Sequence, residues 1–326
     1  MRIVLHGHTA CEFSTETDVR RSLESMGHEV TPMRECMVTM DDIETQCFGA
    51  DLFLWLHGHG SQTTGMTAER LRALPCPTVG FTLDLFRGLK SRPGGSAEAY
   101  IRDNPWFRCQ WFFSADGGAP AGWWEGQGVN HRYSPPGVLE SSCYLAEPVS
   151  GMAHDIVFVG ARGYHPEHPR AELVAWLERT YGERFAFYEH GGHRTIAGRR
   201  EALGTDTRMH RLNQLYASAR VVVGDSCFAG SVERYTSDRY PESLGRGARL
   251  VYPRIPGVTD DAPCRLYEPG NFSDLAAKIE EAMSAAPEQA IAERHRAIAY
   301  VKDGWTYRHR MEAMLGTLTD EGAFTS

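Results

Sequence analysis

Short apolar runs alternate with helical stripes from the start of the chain. Residues 2–5 read as a strand, and Val19, Leu23 and Met26 then recur at i, i+4 and i+7, one face of a helix. Ser14 or Thr15 can cap that helix, Thr15 and Asp18 having the spacing of a capping box, and Gly27 stands where a helix ends. His28-Glu29-Val30 opens the next strand. The rhythm then repeats. Residues 51–56 form a buried strand ending at His57-Gly58-His59-Gly60, residues 68–74 a helix, and residues 78–83 a strand ending at Asp84. A further strand over 110–113 ends at Ser114-Ala115-Asp116-Gly117-Gly118. Strands alternating with helices predict a parallel sheet, and such sheets place ligands at the carboxyl ends of their strands.

Two prolines at 135–136, then Pro148 and Gly151, mark a boundary, and a second α/β series follows. Residues 155–159 read as a strand running into Gly160, and Pro169 can open a helix carrying Leu173, Val174 and Leu177. Strands are predicted over 184–189, 220–224 and 248–252, and helices over 209–219, 238–245, 273–285 and 288–300. A last amphipathic segment covers 305–318. The pattern predicts two Rossmann-like, doubly wound domains, residues 1–145 and 146–300, with a terminal helix in 301–326 expected to pack back on the first.

Composition changes this picture little. Of 326 residues, 42% are hydrophobic and 23% charged, as in a folded globular protein, and the net charge of −8 speaks against a strongly basic nucleic-acid binder. No apolar run is long enough for a membrane span. His6 and His8 interrupt any signal-peptide core, and none of the eight cysteines forms a CxxC pair. A cytoplasmic protein with reduced thiols is the expectation.

The most informative stretch is Ser237-Asp238-Arg239-Tyr240-Pro241-Glu242-Ser243-Leu244-Gly245-Arg246-Gly247. Ser237 or Asp238 can cap a helix whose first turn accommodates Pro241 without losing a backbone donor. Arg239 and Glu242, three apart, share a face at the helix start. Free N–H groups and a guanidinium suit a diphosphate, while a carboxylate can accept from vicinal ribose hydroxyls. The plain alternative is a capped surface helix with an ion pair. Val157-Phe158-Val159-Gly160-Ala161-Arg162-Gly163 adds a strand running into glycine, which admits backbone close to a phosphate but equally describes an ordinary turn.

These stretches, with Val222-Val223-Gly224-Asp225, Thr306-Tyr307-Arg308-His309-Arg310, Gly80-Phe81-Thr82-Leu83-Asp84 and Ala115-Asp116-Gly117-Gly118, resemble the CgeB-like, spore-protein-type glycosyltransferases. That is a branch of the GT-B group similar to glycosyltransferase family 4. The resemblance implies an α/β GT-B fold, two Rossmann-like lobes facing across a cleft, with a nucleotide-sugar donor held by the second lobe. Gly160 and Arg162 would lie by the diphosphate, and Arg239 would bind a phosphate and Glu242 the ribose; Asp225, as a contact to the base, and Ser237, at the helix cap, complete the donor-site candidates. No metal or other cofactor is implied. Two positions depart from the pattern. The first acid of the Glu-x7-Glu pair falls on Arg234, with Glu233 one residue off register, and Trp305 stands where relatives carry His before Thr-Tyr.

In the first lobe, Asp84 is the leading candidate for accepting the acceptor's proton, with His57, His59 and Asp116 as alternatives. If the reaction retains configuration, the first reading from the resemblance, the donor phosphate itself can take that proton. Each of these residues also has a bland reading as a turn or buried hydrogen-bonding group. His-x-His resembles a metal site, but no third ligand is placed by spacing. The acceptor is open among a small molecule, a glycan and a protein. A phage-type enzyme acting on modified DNA bases, a non-catalytic structural protein and a nucleotide-sugar epimerase are the competing functions.

Overall fold

The computed structural model describes residues 1–9, 14–57, 62–86, 96–117, 121–160, 170–189, 193–196, 199–202, 208–226 and 234–324. His59 and Arg162 lie outside them. The chain forms two compact units. The first comprises Met1–Leu139, Glu233–Tyr235 and Tyr307–Ser326, and the second Glu140–Val232 and Thr236–Thr306.

In chain order the first unit begins β1 (Arg2–Gly7), α1 (Thr15–Ser25), β2 (Glu29–Arg34), α2 (Met40–Cys47), β3 (Leu52–Leu56) and α3 (Ala68–Arg72). It continues with β4 (Thr78–Thr82), α4 (Ala97–Asp103), β5 (Trp111–Ser114), α5 (Ala121–Gly126) and β6 (His131–Tyr133). Ser14 caps α1 by accepting from the Thr17 N–H at 3.2 Å, and Gly27 ends it at φ +86°, a conformation that favours glycine. A capping box between Thr39 and Asp42 starts α2. All five residues of β3 are buried, because both faces of the sheet are covered.

The strands run parallel in the order β2-β1-β3-β4-β5-β6. Alternation divides them between two cores. Ile3, Leu5, Leu52, Leu54 and Phe81 face one side, with Val19 and Leu23 of α1. Val4, Phe53 and Trp55 face the other, with Trp106, Phe107, Phe112 and Trp124.

The second unit holds β7 (Ile156–Val159), α6 (Arg170–Tyr181), β8 (Phe185–Glu189), β9 (His193–Ile196), β10 (Arg199–Ala202), α7 (Arg208–Ser218) and β11 (Val221–Val223). It ends with α8 (Arg239–Gly245), β12 (Leu250–Pro253), β13 (Arg265–Tyr267), α9 (Phe272–Met283) and α10 (Pro287–Gly304). Its sheet has the order β10-β9-β8-β7-β11-β12-β13, parallel from β8 to β13, with β9 and β10 antiparallel.

The last helix, α11 (Tyr307–Asp320), belongs to the first unit, where Met311, Met314 and Leu318 are buried in the core beside Ile3 and Leu5. Among the described residues no helix is long and apolar enough to cross a membrane.

Candidate functional site

In each unit the strand order reverses at one point. The first strand of the second unit, β7, has β8 on one side and β11 on the other, so its crevice opens at the carboxyl ends of β7 and β11. Gly160 follows β7, and Asp225 follows β11 by two residues.

Asp225 is 4% exposed and holds two cations. Its Oδ2 accepts from Arg170 Nε at 2.8 Å, and its Oδ1 from an Nη of Arg239 at 3.3 Å. Arg170 comes from the first residue of α6 and Arg239 from the first of α8, so two helix starts converge on one strand end. Arg239 is anchored a second time by donating from Nε to the carbonyl of Val159 at 2.8 Å. Both guanidiniums lie 5.9 Å from the centre of the Phe158 ring. Two guanidiniums thus converge on one buried carboxylate, and planar guanidinium forks suit phosphate oxygens.

Two glycines shape the crevice. A β-carbon on Gly160, at φ +150°, would stand 2.8 Å from Nη2 of Arg239. One on Gly224 would stand 2.8 Å from the Tyr252 ring, whose hydroxyl accepts from the Ser237 N–H at 3.3 Å. Ser237 Oγ donates to the Asp225 carbonyl at 3.0 Å, tying the start of α8 to the end of β11. The cap of α8 is Asp238, whose carboxylate accepts from the Arg239 N–H at 2.9 Å. Beside the Asp225 clamp lies a cavity of about 80 Å³ bounded by Arg170, Asp225, Ser226, Tyr267, Gly270 and Phe272.

Glu242 sits one turn along α8, its side chain 31% exposed and 3.4 Å from Nη2 of the fully buried Arg246, which also bonds Asn213. Gly160, Asp225, Ser237 and Arg239 are thus joined by direct contacts, while Glu242 stays accessible beside them. Arg234 takes a left-handed conformation at φ +59° and belongs to the first unit. There Tyr133 donates to its carbonyl at 2.7 Å and lies 4.6 Å under its guanidinium.

The crevice of the first unit opens between β1 and β3, since β2 and β3 flank β1. His57 directly follows β3, and its Nδ1 is 2.5 Å from Glu35 Oε1, just beyond β2. Asp84 is half-buried, and its carboxylate accepts from the Thr82 hydroxyl at 3.3 Å. Asp116 is fully buried, and its Oδ2 accepts from the Phe86 N–H at 2.9 Å, which fixes the chain just after Asp84. Among the described residues no hydrogen bond joins Asp84, His57 and Asp116 to one another.

Arg170 and Glu35 escaped the sequence reading. Arg170 follows Pro169 ahead of the stripe Leu173, Val174, Leu177, a placement that marks a helix start and hence a potential anion contact. Glu35 carries no local signal.

Residues 170–316 match the family model described as Glycosyl transferase-like. No curated protein sequence matches the chain. Among solved structures, an alpha-glucosyltransferase in complex with UDP and a 13-mer DNA containing a central A:G mismatch is similar over 98% of this chain and 100% of that one, with 10% identity and a TM-score of 0.67. The DNA modifying enzyme beta-glucosyltransferase, solved in the presence and absence of uridine diphosphoglucose, covers 100% of both chains at 8% identity and a TM-score of 0.60. The alpha,alpha-trehalose 6-phosphate synthase from Burkholderia multivorans covers 100% of this chain and 99% of its own at 12% identity and a TM-score of 0.59. These likenesses give the fold as GT-B, two units each built on a largely parallel sheet.

Proposed function

We propose that this protein is a glycosyltransferase that moves a sugar from a nucleoside-diphosphate donor to an acceptor hydroxyl. The observation that carries the reading is the pair of guanidiniums, Arg170 and Arg239, gripped by Asp225 at the switch point of the second sheet. The family match over 170–316 contains that whole clamp and supports it.

The donor diphosphate binds against Arg170 and Arg239, with Gly160 leaving room for the chain to approach. Glu242 accepts from the ribose hydroxyls. As the bond from the anomeric carbon to the diphosphate oxygen breaks, the leaving oxygen takes the electron pair, and the two fixed guanidiniums stabilise that charge. Donor binding then needs no divalent ion. Arg162 is assigned to the same diphosphate on the family resemblance alone.

On the acceptor side Asp84, the half-buried carboxylate at the end of β4, is the group proposed to receive the hydroxyl proton if configuration inverts. The burial of Asp116 and its bond to the Phe86 N–H suit an anchor better than a proton acceptor. If configuration is retained, which is our first reading, the departing phosphate receives the proton and Asp84 orients the hydroxyl. UDP is the first donor nucleotide to try, because the two glucosyltransferases of similar fold were solved with UDP or UDP-glucose.

The same two structures favour a second reading, an acceptor that is a modified base in DNA. Charge argues for a small molecule or glycan instead. The segments of the first unit carry 15 basic and 20 acidic residues, the wrong balance for a phosphate backbone.

The test is calorimetric binding of UDP and UDP-glucose, with GDP, ADP and TDP as comparisons, in EDTA. A selective affinity lost in Arg239→Ala supports the donor site. Affinity that survives Arg239→Ala and Arg170→Ala together, or that requires a divalent ion, overturns it. Product anomer analysis and incubation with hydroxymethylated-base DNA then separate the remaining alternatives.

A further inference from the structure

The first unit contains a buried carboxylate that the donor chemistry does not use. Glu35 has a side chain 1% exposed, placed between two nitrogen donors that reach the same oxygen. Trp55 Nε1 is 2.6 Å from Oε1 and His57 Nδ1 is 2.5 Å from it. An indole N–H only donates, so Oε1 must accept from it. An ionised carboxylate accepts only, so with Glu35 ionised the proton between it and His57 resides on Nδ1.

The imidazole is also locked sterically. Trp106 packs edge-on at 5.1 Å and Trp55 at 5.4 Å between ring centres, and the His57 side chain is 6% exposed. Neighbouring His6 has both nitrogens committed, Nδ1 donating to the Met33 carbonyl at 3.2 Å and Nε2 accepting from the Thr63 hydroxyl at 2.8 Å. His57 Nε2, by contrast, has no partner among the described residues. The ring stands at the carboxyl end of β3, beside the point where the strand order reverses.

We propose that Glu35 is a positioning residue: it holds His57 as the Nδ1–H tautomer, so that Nε2 presents a lone pair to a carbohydrate hydroxyl at this strand end. The ligand class is an alcohol O–H of a sugar, which donates to Nε2. This deepens the glycosyltransferase reading and rests on it for the ligand. The tautomer itself depends only on the first unit. The hydroxyl belongs either to the donor sugar or to the acceptor, and the experiment separates them.

The measurement is imidazole ¹⁵N NMR of the full chain, with His57→Gln assigning the signal. The wild-type ring is expected in the Nδ1–H form. In Glu35→Gln the amide oxygen must remain at the Oε1 position to satisfy Trp55, so the tautomer is kept while the charge is lost. In Glu35→Ala the ring passes predominantly to Nε2–H. An Nε2–H ring in the wild type, or an unchanged tautomer in Glu35→Ala, overturns the proposal. If the alanine variant does not fold, Glu35→Leu, which removes the acceptor and fills the space, is expected to give the same passage to Nε2–H, and an unchanged tautomer there overturns the proposal.

UDP, UDP-glucose, and UDP with excess glucose are then added in turn. A movement of the Nε2 signal with UDP-glucose alone identifies the donor hydroxyl, and one with glucose plus UDP alone identifies the acceptor. No movement with either, while calorimetry records UDP binding, overturns the hydroxyl assignment. Absence of UDP binding with the tautomer as expected counts against the donor site and not against Glu35.

Discussion

The guanidinium of Arg239 lies against the α-carbon of Gly160, close enough that a β-carbon there would stand 2.8 Å from Nη2. The glycine is needed twice over, for its φ of +150° and for the room it leaves. Gly160→Ala should therefore push Arg239 out of its place on the Val159 carbonyl and weaken nucleotide binding about tenfold, or about 1.4 kcal/mol. Calorimetric titration with UDP checks this, together with a melting curve showing the fold intact. Undiminished affinity would remove Arg239 from the diphosphate site.

Arg170 and Arg239 share one carboxylate but come from different helices, so each should contribute separately. Loss of either, as Arg170→Ala or Arg239→Ala, should raise the nucleotide Kd roughly 10- to 100-fold, the range of a charge-assisted hydrogen bond. The same variants should bind the free nucleoside as the wild type does. Equal losses for nucleoside and nucleotide would place the effect outside the phosphates.

Asp116 should matter to the fold first. Its removal as Asp116→Ala leaves the buried Phe86 N–H without this acceptor, at a cost of about 1–3 kcal/mol. Thermal or urea unfolding reads this directly. A variant of wild-type stability that has lost turnover would make Asp116 a catalytic group instead.

Acid should destabilise the protein in a defined window. Burial holds the imidazoles of His6 and His131 down to about 4, against an ordinary 6.5. The fold favours their neutral form. As pH falls below 6.5 the unfolded chain gains protons that the folded chain does not, so stability drops until about pH 4. Each residue contributes up to about 3 kcal/mol to that slope. The melting temperature should fall between pH 7 and 4.5, and less steeply in His131→Gln. A flat profile would mean that these rings take up protons as readily in the fold as in the unfolded chain.

The frame is readable in the sequence because parallel strands covered by helices are buried on both faces, so β3, β4, β7 and β12 stand out as apolar runs. Helices α1 and α6 carry clear stripes, Val19, Leu23 and Met26 in one and Leu173, Val174 and Leu177 in the other. The three-residue strands β6 and β13 are too short for any period, and α2 announces itself only through its Thr39–Asp42 capping box. At the site, Arg239 and Glu242 were legible because a helix start imposes their spacing. Arg170 and Asp225 are 55 residues apart in the chain and meet only because β7 and β11 are neighbours. Glu35 and His57 likewise meet across β1, and no local pattern encodes such a contact.

The course of the chain through the two units has a consequence for synthesis. Strand β1 shares its core with Met311, Met314 and Leu318, which follow the whole of the second unit in the chain. Until they emerge, Ile3, Leu5 and Leu23 lack part of their cover, and the first unit carries an open apolar face throughout the translation of the second. A chain stopped before Tyr307 would keep every strand of both sheets yet leave that face exposed to aggregation.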